Sequence, residues 1–265
     1  MVATALADTD IEAAVDQLDR AERTRRPVAL AAGDGSFSIA DGYRIQRAWE
    51  RARLAAGARR TGWKVGATSP ESQRALGFGE PMFGPLLSDT ELGNGGECAV
   101  GELVRPLCEA ELAFMLGAPL AGDDVDQVAA IAATSALAAA IEIVDSRVTR
   151  ETVGPEYVVA DRGRAARYAV GEWVPVAAVA DTAAVSVTVF AGGREVAGGS
   201  GARVLGDPAR SLAWLAGALA QHGLGLEAGD VVLTGTLIAP LPIASGQRIR
   251  ALFDGPLGAV ELGFA

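Results

Sequence analysis

Histidine occurs once in this 265-residue chain and cysteine twice, and these scarcities narrow the chemistry at once. His222 sits in "LAQHGLGLEAGD", where a helix ends before glycine, and reads as a helix C-terminal residue. No motif stands with it to make a Ser–His–Asp triad. Two cysteines, Cys98 and Cys108, exclude a disulfide framework and a four-cysteine zinc site, and read as buried thiols. Positive charge is short as well. A formal net charge of -10 leaves no basic stripe for nucleic acid, and the arginines at 20–26, 44–60 and 147–167 are dispersed among acids. No apolar run reaches the roughly 18 residues of a spanning helix. The longest, "VAAIAATSALAAAIEIV" at 128–144, is interrupted by Thr134 and Ser135 and holds Glu142. A P-loop and a G-x-G-x-x-G fingerprint after a strand are both missing. The first residues carry acids before bases and lack a signal-peptide pattern. The expectation is a cytoplasmic protein with neither membrane nor nucleic acid among its partners.

Half of the residues are hydrophobic, enough for a sizeable core. Residues 8–24 have helical spacing (Ile11, Ala14, Val15, Leu18, Ala21) with an acidic start, and Pro27 ends the segment. A second helix is predicted over about 40–56, closed by Gly57. From Gly62 the texture changes to short β-rich segments separated by glycine- and proline-bearing turns. Two helices interrupt them: one over 124–140, and one over 208–222 with Asp207 as N-cap and Pro208 in its first turn. The fold class is α+β, an N-terminal helical part against a largely β catalytic part.

The stretch "CEAELAFMLG" (108–117) carries two carboxylates one residue apart. On a helix they would scatter; on a strand Glu109 and Glu111 share one face while Cys108, Ala110, Leu112, Phe114 and Leu116 make the other apolar. Such a pair is either a solvated strand face or a set of oxygen ligands for a hard cation. Alternation returns in "IEIVDSR" (141–147), where Glu142 begins a strand behind the Ala-rich segment. A charge buried there needs a cation or donors. The three glutamates would suit an all-carboxylate facial site for Mg²⁺ or Mn²⁺. Asp145 and Arg147 read as a structural ion pair.

"GWKVGATSPESQRALGF", "PMFGPLLSD", "CEAELAFMLG", "ALAAAIEIVDSR", "GSGARVLGDPARSLAWLAGAL" and "DVVLTGT" together resemble the 2-oxopent-4-enoate hydratase and 4-oxalocrotonate decarboxylase family, within the fumarylacetoacetate hydrolase superfamily. The resemblance implies a helical region over 1–60 packed on a mixed β-sandwich or β-roll catalytic domain over 61–265. It places Glu109, Glu111 and Glu142 as ligands of Mg²⁺ or Mn²⁺, and Lys64 and Asp89 in the pocket as proton-transfer groups. Thr234, Gly235 and Thr236 match the substrate-contacting loop. The implied activity is hydration of a 2-hydroxydienoate or 2-oxoalkenoate acid. The alternatives are decarboxylation of a vinylogous 2-oxo diacid, or a non-catalytic member acting as a partner protein. A homo-oligomer is implied, with a neighbouring pathway enzyme as a further partner.

One stretch departs from that pattern. Where family members carry an Asp-Asn-Ala-Ser-Ser-like segment beside the pocket, this chain has "ADRGRAARYAVG" (160–171). Asp161 is kept, but Arg162, Gly163 and Arg164 replace small polar residues. An arginine fork suits a carboxylate. At least one of Arg162, Arg164 and Arg167 is therefore expected to face the pocket and read an anionic group distant from the metal, making Asp161, Arg162 and Arg164 candidate substrate-binding residues.

Overall fold

Two amphipathic helices, Asp8–Thr24 (α1) and Ile39–Ala55 (α2), begin the computed structural model, which describes residues 5–33, 37–149 and 154–265. Ile11, Ala14, Leu18 and Ala21 of α1 face inward, as their spacing requires. Ser38 caps α2 by accepting from the Asp41 amide, while the Asp41 carboxylate accepts from the amide of Ser38. This reciprocal pair satisfies two otherwise orphaned donors. Both helices share an apolar cluster with Leu30, Val148 and Ala160, with Tyr157 packed against it, so the helical part is seated directly on those residues.

Strand Arg60–Gly66 (β1) follows, then helix Pro70–Leu76 (α3) and strand Met82–Leu87 (β2). Two short strands, Glu91–Leu92 (β3) and Glu97–Cys98 (β4), lead to the long strand Leu107–Leu116 (β5). Helix Gln127–Ala133 (α4) precedes the equally long Thr134–Val144 (β6). Helix Pro155–Ala160 (α5), strands Ala165–Val170 (β7) and Val174–Pro175 (β8), and the hairpin Ser186–Ala191 (β9) with Arg194–Ser200 (β10) come next. Helix Pro208–Gln221 (α6) is capped by Asp207, which accepts from the Ala209 amide. Strands Val231–Thr236 (β11), Leu241–Pro242 (β12), Gln247–Phe253 (β13) and Ala259–Phe264 (β14) finish the chain.

The strands form two sheets. The larger runs β2-β1-β11-β5-β6-β7-β3, with β12 on β5 and β8 on β6; the smaller runs β10-β9-β13-β14-β4. Both are mixed, the β1–β11, β3–β7 and β4–β14 pairs being parallel. One face of the large sheet shares a core with α6 and the small sheet: Leu112 and Phe114 of β5 join Leu212 and Leu215 of α6 and Val189, Ala251 and Leu262 of the small sheet. Its other face has a cluster of its own, Leu86, Ala113, Ala138, Ala140, Tyr168 and Leu233. The acidic side chains of β5 lie on that second face. The expected α+β class and the mixed β-roll are what the chain builds.

The helix expected over 124–140 divides. Asp126 caps α4 by accepting from the Ala129 amide at 2.8 Å, but the chain turns extended at Thr134, whose hydroxyl donates to the Ala130 carbonyl at 2.8 Å. From Leu137 to Ile143 every residue of β6 is buried. A strand covered on both faces shows no period-two pattern, and its alanines then imitate a helix. The Asp145–Arg147 pair also gives way. Asp145 accepts instead from the amides of Val104 and Arg105, at 2.8 and 2.6 Å, and Arg147 turns to Asp161.

Candidate metal centre

The register of three strands assembles the site. In the antiparallel β5–β6 pair Glu109 lies directly opposite Glu142, and on the other side of β5 Glu111 lies opposite Thr236 of β11. Like charges directly across a ladder destabilise it, so the Glu109–Glu142 pair calls for a cation. Ligand oxygens of Glu109, Glu111 and Glu142 all lie within 4.8 Å of one another. Glu111 and Glu142 are wholly buried, whereas Glu109 is half-buried and marks the open side.

Two neighbours hold the carboxylates in place. The Gly235 amide donates to Glu111 Oε2 at 2.7 Å. Gly235 has φ +114, and a Cβ there would stand 2.3 Å from Thr68 Oγ1, so glycine is required at this approach. Lys64, from β1, is buried and places Nζ 3.1 Å from Glu142 Oε2 as an ion pair; it also donates to the Gly163 carbonyl at 3.1 Å. Glu111 Oε1 and Glu142 Oε1 are buried without any hydrogen-bond partner. Orphaned carboxylate oxygens in the interior are costly. With every group ionised, three carboxylates and one ammonium leave two negative charges, which one divalent cation neutralises. The residues thus fit Mg²⁺ or Mn²⁺, hard ions that take oxygen ligands.

Electrostatics agree with that fit. Burial, reinforced by Glu142, pushes the Glu109 carboxyl up to about 7, with Lys64 pulling the other way. Burial and the two neighbouring carboxylates raise Glu111 well above the usual range, and burial raises Glu142 against the pull of Lys64. Burial alone would lower Lys64, but Glu142, Glu109 and Glu111 outweigh it and keep the ammonium protonated.

A cavity of about 830 Å³ opens at the Leu107 end of the acidic face. Leu107 points to the same side of β5 as Glu109 and Glu111, and Pro242, its partner on β12, lines the cavity too. Asp161 and Arg164 line the cavity as well. Asp161 accepts from Arg147 Nε at 2.6 Å and from the Arg147 amide at 2.9 Å; Arg147 also donates to the carbonyls of Asp161 and Ala165. Arg162, Gly163 and Arg164 then follow one another at φ 53, 62 and 65. Left-handed backbone costs about 1–2 kcal/mol for each non-glycine residue, so the surroundings must hold this turn. Its effect is to aim three groups in three directions: the Arg162 side chain into the protein, the Gly163 carbonyl at Lys64, and Arg164 into the cavity.

The predicted site residues accordingly separate. Glu109, Glu111, Glu142, Lys64 and Gly235 come together. Thr234 is buried with its hydroxyl donating to the Leu112 carbonyl at 2.9 Å, and Thr236 donates to the Ile238 carbonyl at 3.1 Å. Asp161 lines the cavity, but its carboxylate is taken by Arg147. Arg162 does not face the cavity: it is buried 3.9 Å over the Trp49 ring and paired with Glu22 at 2.7 Å. Arg167 pairs with Glu102 at 3.4 Å. Asp89 does not join the centre either. It lies in the turn after β2, ion-paired to Arg53, and the neighbouring Ser88 amide donates to the Arg59 carbonyl. Arg59 is five residues before Lys64, or roughly 16 Å along a strand. Sequence reasoning missed Arg105, the Gly163 carbonyl and the Arg147–Asp161 pairing. The paired acid and base are 14 residues apart, and no local pattern connects them.

The sequence profile described as fumarylacetoacetate (FAA) hydrolase C-terminal matches residues 89–261. The chain belongs to the fumarylacetoacetate hydrolase family. It is 33% identical over 261 residues to a 2-keto-4-pentenoate hydratase of Paraburkholderia phymatum, covering 97% of this chain and 98% of that one. A 4-oxalocrotonate decarboxylase of Pseudomonas sp. is 32% identical over 234 residues, 88% of this chain and 90% of the other. Among solved structures, the 4-oxalocrotonate decarboxylase from Pseudomonas putida G7, complexed with magnesium and adipate, superposes with a TM-score of 0.94 at 29% identity, over 99% of this chain and 100% of that one.

Proposed function

We propose that this family member is a divalent-metal-dependent hydratase of a short 2-hydroxydienoate or 2-oxoalkenoate acid. The observation that carries the reading is the buried Glu109–Glu111–Glu142 cluster with the Lys64 ammonium inside it. Glu109, Glu111 and Glu142 would hold Mg²⁺ or Mn²⁺, whose Lewis acidity would favour the enolate of a 2-oxo acid. Lys64 supplies the proton. Its ammonium is fixed between Glu142 and the Gly163 carbonyl, dry and charged, so it can deliver a proton to the substrate skeleton and recover it when water adds across the activated double bond. The 161–165 segment and β12 wall the cavity and hold the substrate against the acidic face.

Decarboxylation of a vinylogous 2-oxo diacid is the second reading, favoured by the structural likeness to a decarboxylase over the whole chain. Incubation of the Mg²⁺- or Mn²⁺-loaded protein with 2-hydroxypenta-2,4-dienoate and with 2-oxohex-3-enedioate, followed by mass, separates them. Water gained by either acid supports hydration; carbon dioxide lost from the second supports the other reading. No metal-dependent product from either would overturn both and leave a non-catalytic partner protein.

A further inference from the structure

Among the described residues, the cavity beside the acidic face is lined by more guanidinium than carboxylate groups. Arg74, Arg105 and Arg164 line it. Among the described residues its one carboxylate is Asp161, and Arg147 already donates to both oxygens of that group. The guanidinium of Arg164, although mostly withdrawn from solvent, makes no hydrogen bond or ion pair among the described residues. Arg105 donates from Nη2 to the Val148 carbonyl at 2.7 Å, and its main-chain amide is fixed on Asp145; it too lacks an ion pair among the described residues. The nearby arginines behave differently. Arg53 and Arg162 both reach Glu22, and Arg147 reaches Asp161. Of the three arginines that line the cavity, Arg74 pairs with Glu71 at 3.8 Å, whereas Arg105 and Arg164 have no carboxylate partner among the described residues.

Two guanidiniums lining the same partly open cavity repel each other and are partly dehydrated, so an anion between them relieves both penalties. Burial holds Arg164 below the ordinary arginine range; Asp161 and Glu109 pull against it, and Arg105 and Arg147 add to it. The charges of Arg164 and Glu109 act on each other, each favouring the ionised form of the other. The left-handed turn is what brings Arg164 to the cavity, since the same turn sends Arg162 the other way.

We propose that Arg164, seconded by Arg105, forms a subsite for a second carboxylate at the far end of the substrate, making this protein selective for 2-oxo diacids over 2-oxo monoacids. The inference rests on the metal-dependent reading above, in which the 2-oxo acid end is held at the three glutamates. A planar fork meets a carboxylate bidentately, with both direction and strength. An ion-paired carboxylate is a poor group to lose as neutral carbon dioxide, because the pairing stabilises the ground state and vanishes in the product. The subsite therefore suits a diacid that keeps both acid groups through hydration.

The test is equilibrium binding to the full-length Mn²⁺-loaded protein, with the unreactive pair 2-oxohexanedioate and 2-oxohexanoate. These differ in the remote carboxylate alone. The diacid should bind tighter by roughly 10–100-fold, the size of a charge-assisted contact. Arg164→Ala should erase that preference and leave monoacid binding as it was, while Arg164→Lys should restore part of it. Equal binding of the two acids, or an Arg164→Ala effect of the same size on both, overturns the subsite while the metal reading stands. A diacid preference that depends on Arg164 but survives removal of the metal keeps the subsite and overturns the metal reading. The Arg164 side chain makes no hydrogen bond or ion pair among the described residues, so these variants should fold; a far-UV and melting check on each confirms it.

Discussion

The charge of a single side chain decides the character of the centre. Lys64 is the one cation among three carboxylates, buried with them and held above its ordinary pKa. Replacing it with methionine keeps the volume and removes the proton. Lys64→Met should lower turnover by roughly 10²–10⁴-fold, the usual contribution of a general acid or base, while calorimetry shows divalent-metal binding intact. A variant that keeps full turnover would exclude Lys64 from proton transfer. Glu111→Gln tests the other component. It removes one ligand charge from a set of three, so metal affinity and metal-dependent activity should both collapse while the fold survives. At this scale the sequence was readable wherever neighbours along the chain share a face. Alternation puts Glu109 and Glu111 on one face, and the family resemblance is what singles them out as metal ligands. The partner of Arg147 is not legible in this way, because Asp161 belongs to another element, and proximity in sequence pointed to Asp145 instead. Asp89 fails for a similar reason: the resemblance fixed its place in the chain but not the arginine that claims it.

Whole elements were legible in proportion to how unequal their two faces are. Helices α1, α2 and α6 have one wet and one dry side, and their bounds agree with the periodicity within a residue or two. Strand β6 is dry on both sides from Leu137 to Ile143, and its 134–140 part, not its 141–144 end, is where the spacing suggests helix. Its alanines point to the two covered faces of the sheet while β5 and β7 pair with its two edges, an arrangement that composition conceals. Strand β11 contributes by backbone rather than side chain, and its Gly235 amide on Glu111 is the example. Gly235→Ala should therefore act on the metal. A Cβ would press on Thr68 at a φ that alanine avoids, the strand would shift, and Glu111 would lose its donor. Calorimetric titration should show weaker Mg²⁺ and Mn²⁺ binding with secondary structure retained. An unchanged affinity would mean that Glu111 needs no support from β11.

The molecule as a whole has two groups of buried carboxylates whose charges push its stability in opposite directions. Glu22 binds the helical part to the 161–164 turn through Arg162 and to α2 through Arg53. Burial works against its charge, but Arg162, Arg147 and Arg53 prevail and hold its pKa down to about 2. Its folded pKa lies below the unfolded value, so its contribution is complete above about 4.5 and is lost as pH falls toward 2. The metal-centre glutamates have the reverse sign. Glu109 stands at about 7 and Glu111 and Glu142 are raised as well, so the metal-free folded protein binds more protons than the unfolded chain between about 4.5 and 7. Stability of the metal-free protein is consequently given up as pH rises through that window. A divalent cation needs those same carboxylates ionised, and it stabilises the fold by binding the native state alone. The increase in melting temperature produced by saturating Mn²⁺ should thus be small near pH 5 and grow steadily to pH 8. Glu111→Gln should flatten the dependence, because two of the three coupled charges remain and the cation binds weakly at every pH. An Mn²⁺ increment of constant size across that range would show that the three glutamates are already ionised without the ion, and that burial among like charges does not govern this centre.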